Sequence, residues 1–420
     1  MEEQEKKPYK PSAIKLCSIA LLSLLLLIPL VMVQNTIEDR GETKNNVELE
    51  ISNSSASQQQ IAGPLLFYVR DSAINLNYVL PEEQNYDSKI ETETLHRSIY
   101  DVVVYNSLTT IDGTFKITKE LLGKKWCYIA ISISDLKGLQ SIPEMEFCNS
   151  TYTFELDRSS DIRNKTNFFD EAYIGHYSIL KTKITLPDSI TEGQELSYKI
   201  TLKVKGTKEH TFVPCATMTT LNISSTHPHP SFTGSFLPEK RIIADTGFSA
   251  TWSVLGINVS VGANTMGVKF VNPSDPYLQS ERTSKYGFLI IVLMFTAAIL
   301  AEFTTRKEIN IVQYAIVGLS LILFYSLLMS FSEITAFWFA YLIAALMTCL
   351  ALTFYFKRML KTKVAYILGG FVAFMYTVNY VIIQMDTFAF LTGSLLLFVM
   401  LLALMYFTSN MNNLSIKQNN

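Results

Sequence analysis

The chain has 420 residues and a formal charge of −2. That balance gives no reason to invoke nucleic acid, which favours strongly basic domains. Its apolar residues are unevenly spread: one long run lies near the start, five crowd the last third, and about 250 mostly polar residues lie between. Stretches without charge for the thickness of a bilayer mark an integral membrane protein.

A cytoplasmic leader is expected over residues 1–12 and a first transmembrane helix over 13–34. A cleaved signal peptide is the competing reading, but Val31-Met32-Val33-Gln34 offers no small-residue cleavage site. Pro29 is expected to bend this helix, because proline has no N–H to give the ladder. Residues 35–50 read two ways, as an outward extension of the helix or as a strand at 47–51. The Ser- and Gln-rich stretch 51–61 reads as a loop.

Residues 35–284 change to period two, most clearly at Tyr198-Lys199-Ile200-Thr201-Leu202-Lys203-Val204-Lys205 and around 126–134 and 217–225. Alternation rich in Thr, Ile, Val and Tyr predicts half-buried strands. Asp112-Gly113, Lys137-Gly138, Glu192-Gly193 and Thr246-Gly247 supply turn signals. The expected architecture is an all-β, antiparallel, sandwich-like domain of one or two lobes.

Five further runs follow at 285–303, 311–331, 335–356, 364–384 and 387–408, a C-terminal bundle over 285–408 with a tail at 409–420. Six spans are therefore expected in all. Lys6, Lys7, Lys10 and Lys15 precede the first span, Arg306 and Lys307 follow the second, and Lys357, Arg358, Lys361 and Lys363 lie between the fourth and fifth. The alternate short loops hold Glu333 and Asp386 and no cation. Basic loops stay in the cytoplasm, so both termini are expected there, with the β domain periplasmic. Glu302, Glu333 and Asp386 fall at span ends. The interiors hold uncharged polar groups such as Gln313 and Asn379, and Gly318, Gly369, Gly370 and Gly393 would let helices approach. Tyr286, Trp338, Tyr341 and Tyr406 read as interfacial anchors.

Five cysteines are present, with Cys17 and Cys349 in spans as packing residues. Cys127 and Cys148 could pair if their domain faces an oxidising compartment. No nucleophile elbow, phosphate loop, dinucleotide fingerprint or zinc motif occurs, so no catalytic residue, cofactor or metal is assigned. Two polar clusters remain as candidates. In the cluster His96-Arg97-Ser98-Ile99-Tyr100-Asp101, the His, Tyr and Asp could form an acid–base set, against the plainer reading of a strand start with surface polar groups. In His227-Pro228-His229-Pro230-Ser231-Phe232 the two histidines point one way if extended, against the plainer reading of a rigid proline-flanked turn.

These segments together resemble the CreD family, inner-membrane proteins of Gram-negative bacteria described as cell-envelope integrity proteins. His96-Arg97-Ser98-Ile99-Tyr100-Asp101-Val102 with Val104-Tyr105 is similar to the family's "HRGIYDVPVY" stretch. Pro228 to Pro238, including His229, Ser231, Phe232 and Gly234, is similar to its most specific motif, and Gly247-Phe248-Ser249-Ala250-Thr251-Trp252 follows in the same order. Asp275-Pro276-Tyr277 then leads to the second span. Ser98 and Val103 stand where the family often has Gly and Pro, and His227 where it commonly has Trp. The resemblance implies an envelope-maintenance protein tied to a two-component stress response, and it supplies no reaction.

The expected function is therefore non-enzymatic. A periplasmic β domain would bind an envelope protein, glycan or lipid, and the helices would anchor it in the lipid bilayer. Two rivals stay open: a membrane enzyme using His96, Tyr100, Asp101, His229 and Ser231, and a lipid-handling transporter with a polar cavity among its helices. The enzyme requires the two motifs to converge within hydrogen-bond reach.

Overall fold

The computed structural model describes residues 13–69, 76–97, 100–124, 126–158, 162, 168–172, 176–187, 189–259, 264–271 and 275–384, with 394, 398 and 405. The chain divides into two compact units, residues 44–273 and residues 1–43 with 274–420.

The membrane unit opens with helices α1 (Ala13–Leu25) and α2 (Leu27–Ser54). They are one rod with its ladder interrupted at Leu26, as expected from Pro29, whose ring nitrogen cannot bond back to Leu25. The helix does not stop at the apolar boundary. It continues to Ser54, so the outward-helix reading of 35–50 holds and the strand at 47–51 does not. The loop expected at 51–61 shrinks to residues 55–58. Hydroxyls bond back into the preceding turn at Thr36, Thr43 and Ser54, which satisfies these polar side chains within the helix itself.

After the short α3 (Phe168–Ala172) of the other unit come α4 (Pro276–Lys285), α5 (Gly287–Thr305), α6 (Ile311–Ser332), α7 (Phe337–Leu360) and α8 (Val364–Gln384). Four of these are long and apolar enough to cross a bilayer, and with the first rod they make five among the described residues. The sixth expected span, 387–408, lies almost entirely outside the described residues. The span limits follow from chemistry at the ends. Asp275 caps α4, accepting the Tyr277 N–H at 3.0 Å, with Pro276 at the first turn. Asn310 and Gln313 form a capping box on α6, so Gln313 closes a helix end rather than sitting inside the span. Arg306 and Lys361 end α5 and α7 in the left-handed conformation.

The helices pack on aromatic and small residues. Phe324 stacks on Tyr376 at 4.1 Å, and the Tyr341 hydroxyl donates to the Tyr376 carbonyl at 2.7 Å. Tyr341 is thus a buried packing residue and not an interfacial anchor, whereas Trp338 is exposed. A Cβ on Gly369 would meet Thr353 Oγ1 at 2.1 Å and one on Gly318 would meet Leu26 at 2.3 Å, so these two permit close helix approach, while Gly370 faces open space. Glu302 lies in the last turn of α5, at the span end as expected, but not as an isolated charge. It is fully buried, bonds Lys15 at 2.8 Å and accepts the Ile309 N–H at 2.5 Å. That pair puts the start of the first span and the end of the second on one membrane face.

The other unit is a β sandwich. Its strands are β1 (Gln59–Val69), β2 (Leu76–Val79), β3 (Glu83–Arg97), β4 (Tyr100–Lys116), β5 (Trp126–Ile133), β6 (Glu144–Phe147), β7 (Ser150–Thr153), β8 (Glu155–Leu156), β9 (Ser178–Thr185), β10 (Glu195–Thr207), β11 (Glu209–Val213), β12 (Met218–Ser225), β13 (Pro230–Gly234), β14 (Lys240–Ala244), β15 (Gly247–Leu255) and β16 (Met266–Phe270). The first sheet runs β13-β16-β11-β1-β5-β9-β8 with β2 beside β1, and the second runs β14-β15-β12-β3-β4-β10-β6-β7. The pairing is mostly antiparallel as expected, with one parallel pair in each sheet among the described residues: β1 with β11, and β3 with β12.

Strict alternation in β10 and β12 matches burial on one face only, which is why their sequences read so plainly. β1 is buried along nearly its whole length. One face joins Ile61 and Leu66 to the core between the sheets, and the other joins Ala62, Leu65 and Phe67 to Phe169 of α3. The expected turn at Asp112-Gly113 is instead inside β4, which pairs with β3 on one side and β10 on the other. All five cysteines are free, and burial pushes the Cys127 thiol up to about 12.

Candidate functional site

The two polar clusters lie on different sheets. Residues 83–97 and 100–116 make a long hairpin in the second sheet, whose register runs from Glu83↔Thr114 to Arg97↔Tyr100. His96 and Asp101 are cross-strand partners at its tip, with Nδ1 and Oδ1 2.5 Å apart and both side chains largely exposed. Arg97 reaches Glu50 of α2 at 2.7 Å, and Tyr100 is buried. Ser98 and Ile99, between the strands, lie outside the described residues.

The second cluster belongs to the first sheet, where Pro230↔Phe270, Ser231↔Lys269 and Phe232↔Val268 set β13 against β16. His227 Nε2 meets the Val271 carbonyl at 3.0 Å, and the His229 carbonyl accepts the Val271 N–H at 3.4 Å. Burial holds His227 below the ordinary imidazole value, with the Val271 bond opposing it. Ser231 and His229 are exposed. The Thr226 N–H bonds the Ile90 carbonyl, and His96 lies six residues further along β3. That is about 20 Å of extended strand. The two motifs therefore do not converge into one acid–base set.

Packing accounts for Phe232, Gly234 and Trp252. The Phe232 ring stands 5.9 Å from Phe248 and 5.7 Å from Trp252, both edge-on, so it ties the first sheet to the second. Trp252 is fully buried, and its Nε1–H donates to the Phe236 carbonyl at 3.1 Å. Gly234 has φ +101°, and a Cβ there would meet the Thr265 carbonyl oxygen at 2.2 Å. This glycine is needed where the chain leaves β13. Trp252→Ala is expected to cost about 3–5 kcal/mol, the usual loss for emptying a large aromatic site. A thermal melt of the full chain in detergent measures it, and a shift as small as that of a surface substitution would refute the packing role.

A cleft that no local motif announces lies elsewhere in the β unit. It has a volume of about 410 Å³. Its walls include Glu48 and Ser52 at the end of α2, Gln58, His176, Lys208 of the β10–β11 turn, and Thr211. The end of α2 is clamped there by separate elements. Glu48 bonds Lys208 at 2.5 Å, Ser52 and Thr207 hydroxyls meet at 3.1 Å, and Lys137 donates to the Asn53 carbonyl at 2.8 Å. Asp135 braces the floor, accepting from the Ser57 N–H, the Ser57 hydroxyl and the Lys137 N–H. Burial raises the Asp135 carboxyl, but these bonds win and hold it below the ordinary carboxylate value. The lining is hydroxyls, amides and a few charges, suited to hydrogen bonding with a polar ligand. Among the described residues no group of three metal-ligating side chains occurs.

A cavity of about 400 Å³ between α7 and α8 is of the opposite kind, lined by Trp338, Tyr341, Leu342, Leu346, Tyr376 and Tyr380. It offers rings and methyls where the transporter reading requires a polar path.

Comparison with known proteins agrees with this architecture. The family model described as "Inner membrane protein CreD" matches residues 11–413. The protein of Escherichia coli (strain K12) named "Inner membrane protein CreD" is 29% identical over 382 residues, covering 83% of this chain and 81% of that protein. Multiple apolar helices, an intervening β-rich domain and a match spanning nearly the whole sequence place this chain in the CreD family of multi-pass inner membrane proteins.

Proposed function

We propose that this protein helps maintain the cell envelope as a non-catalytic binding protein. Its β domain, on the periplasmic side, holds a hydroxyl- and amide-rich envelope polymer in the cleft at the end of α2. The observation that carries this reading is the cleft itself, polar-walled and about 410 Å³ in volume. Its side chains match the donors and acceptors of a glycan or peptide and not an acyl chain. The separation of the two polar motifs supports binding over catalysis, and the Lys and Arg bias of the short loops supports the orientation.

Purified sacculi give a direct test. The full chain in detergent is expected to cosediment with them, and Gln58→Trp, which narrows the cleft from an exposed position, is expected to reduce the bound fraction without changing the melting midpoint. Failure of the parent protein to cosediment, or equal binding by the narrowed variant, would overturn the reading.

A further inference from the structure

We infer that β14 is a self-association edge, through which the β domain pairs with a second copy of this chain. Among the described residues β14 is the terminal strand of the second sheet, joined to β15 on one side only. Its outer edge therefore offers unpaired backbone N–H and C=O groups. Every residue of the strand is exposed on both faces. Ile242 is 74% and Ile243 51% exposed, an unusual cost for an edge that meets only water.

Charge selects the partner and the register. An antiparallel pair related by a twofold axis through the sheet must match residues that point to the same face. Their numbers then sum to an even value. Centred on Ile242, such a pair would set Glu239 against the second copy's Asp245, two like charges. Centred on Ile243, it sets Ile243 against Ile243, Ile242 against Ala244, and Arg241 against Asp245 twice over. Arg241 and Asp245 are both exposed, and the Arg241 guanidinium lies 6.0 Å over the Phe232 ring, which holds its charge at this edge. The second register buries isoleucine against isoleucine and brackets it with opposite charges. A five-residue edge is a small interface, but two copies held in one bilayer meet at a far higher effective concentration than two free domains.

The test uses the full chain in its membrane. Ile243→Cys puts two thiols at the twofold axis, and a short bis-maleimide is expected to give a product of twice the chain mass. Ser150→Cys, on the opposite terminal strand β7, and the parent chain with its native cysteines are expected to give none. Adding Asp245→Arg should cut the linked fraction about tenfold by placing like charges face to face. Adding Arg241→Asp as well should restore it. No product above the parent, a product equal from Ser150→Cys, or a charge reversal without effect would overturn the proposal. Linkage of Ile243→Cys to a different protein or shielding of that thiol by lipid alone would overturn it too.

Discussion

Glu302→Gln is expected to destabilise the detergent-solubilised chain by about 3–5 kcal/mol, the usual cost of breaking a buried ion pair from one side. Glu302 is fully buried, its partner Lys15 is mostly so, and the carboxylate also satisfies the Ile309 N–H in the turn after α5. Glutamine can still accept from Ile309, so the loss reports the negative charge removed from beside the Lys15 ammonium. Adding Lys15→Met removes that ammonium, and the double variant is expected to recover most of the loss. Thermal unfolding of the parent, the two single variants and the double variant forms the cycle. A double variant as damaged as Glu302→Gln would show that the charge pair is not what holds the first rod to this turn.

The β domain is expected to lose stability in mild acid through His210. This ring is fully buried on β11, 5.2 Å from Tyr105 and 4.6 Å from Phe212, and neither ring nitrogen has a side-chain partner. Burial lowers its pKa from 6.5 to about 3, with the nearby Gln59 backbone opposing. Above pH 6.5 the ring is neutral both folded and unfolded, so pH has no leverage there. Between pH 6.5 and about 3 only the unfolded chain takes up the proton, and stability falls as pH falls. At pH 4.5 the deficit is about 3 kcal/mol. His210→Leu, which keeps an apolar filling, should flatten this dependence while leaving stability at pH 7.5 little changed. Melting curves from pH 4.5 to 7.5 measure it, and an unaltered acid slope in the variant would rule out His210 as the cause.

The membrane spans were legible because hydropathy is a local property. The run at 364–384 coincides with α8, and that at 311–331 ends one residue short of α6. Pro29 announced the break in the first helix. Strands with one wet face, β10 above all, were equally plain. What escaped detection is non-local. β1 lies between two apolar layers, so its sequence loses the alternation that marks a strand. The β1–β11 and β3–β12 pairings join distant segments in parallel, and no short pattern encodes that. Asp112-Gly113 carried a turn signal, but partners on both sides of β4 overrode it. The polar extension of α2 has neither an apolar stripe nor a strand's alternation, and its end is fixed by Lys208, Arg97 and Lys137.

The candidate site divides the same way. The family-like motif around Pro228–Pro238 stands out in sequence, yet its Phe232, Gly234 and Trp252 serve packing. The cleft gathers residues from positions 48 to 265. Its signal was a scatter of Ser, Thr and Gln that read as ordinary surface.

Everything proposed for the β domain depends on its facing the periplasm. Ser150→Cys places a thiol on the exposed strand β7. In spheroplasts with an intact inner membrane, a membrane-impermeant maleimide is expected to label this variant beyond the parent chain. Labelling that appears only after the inner membrane is broken would contradict the account.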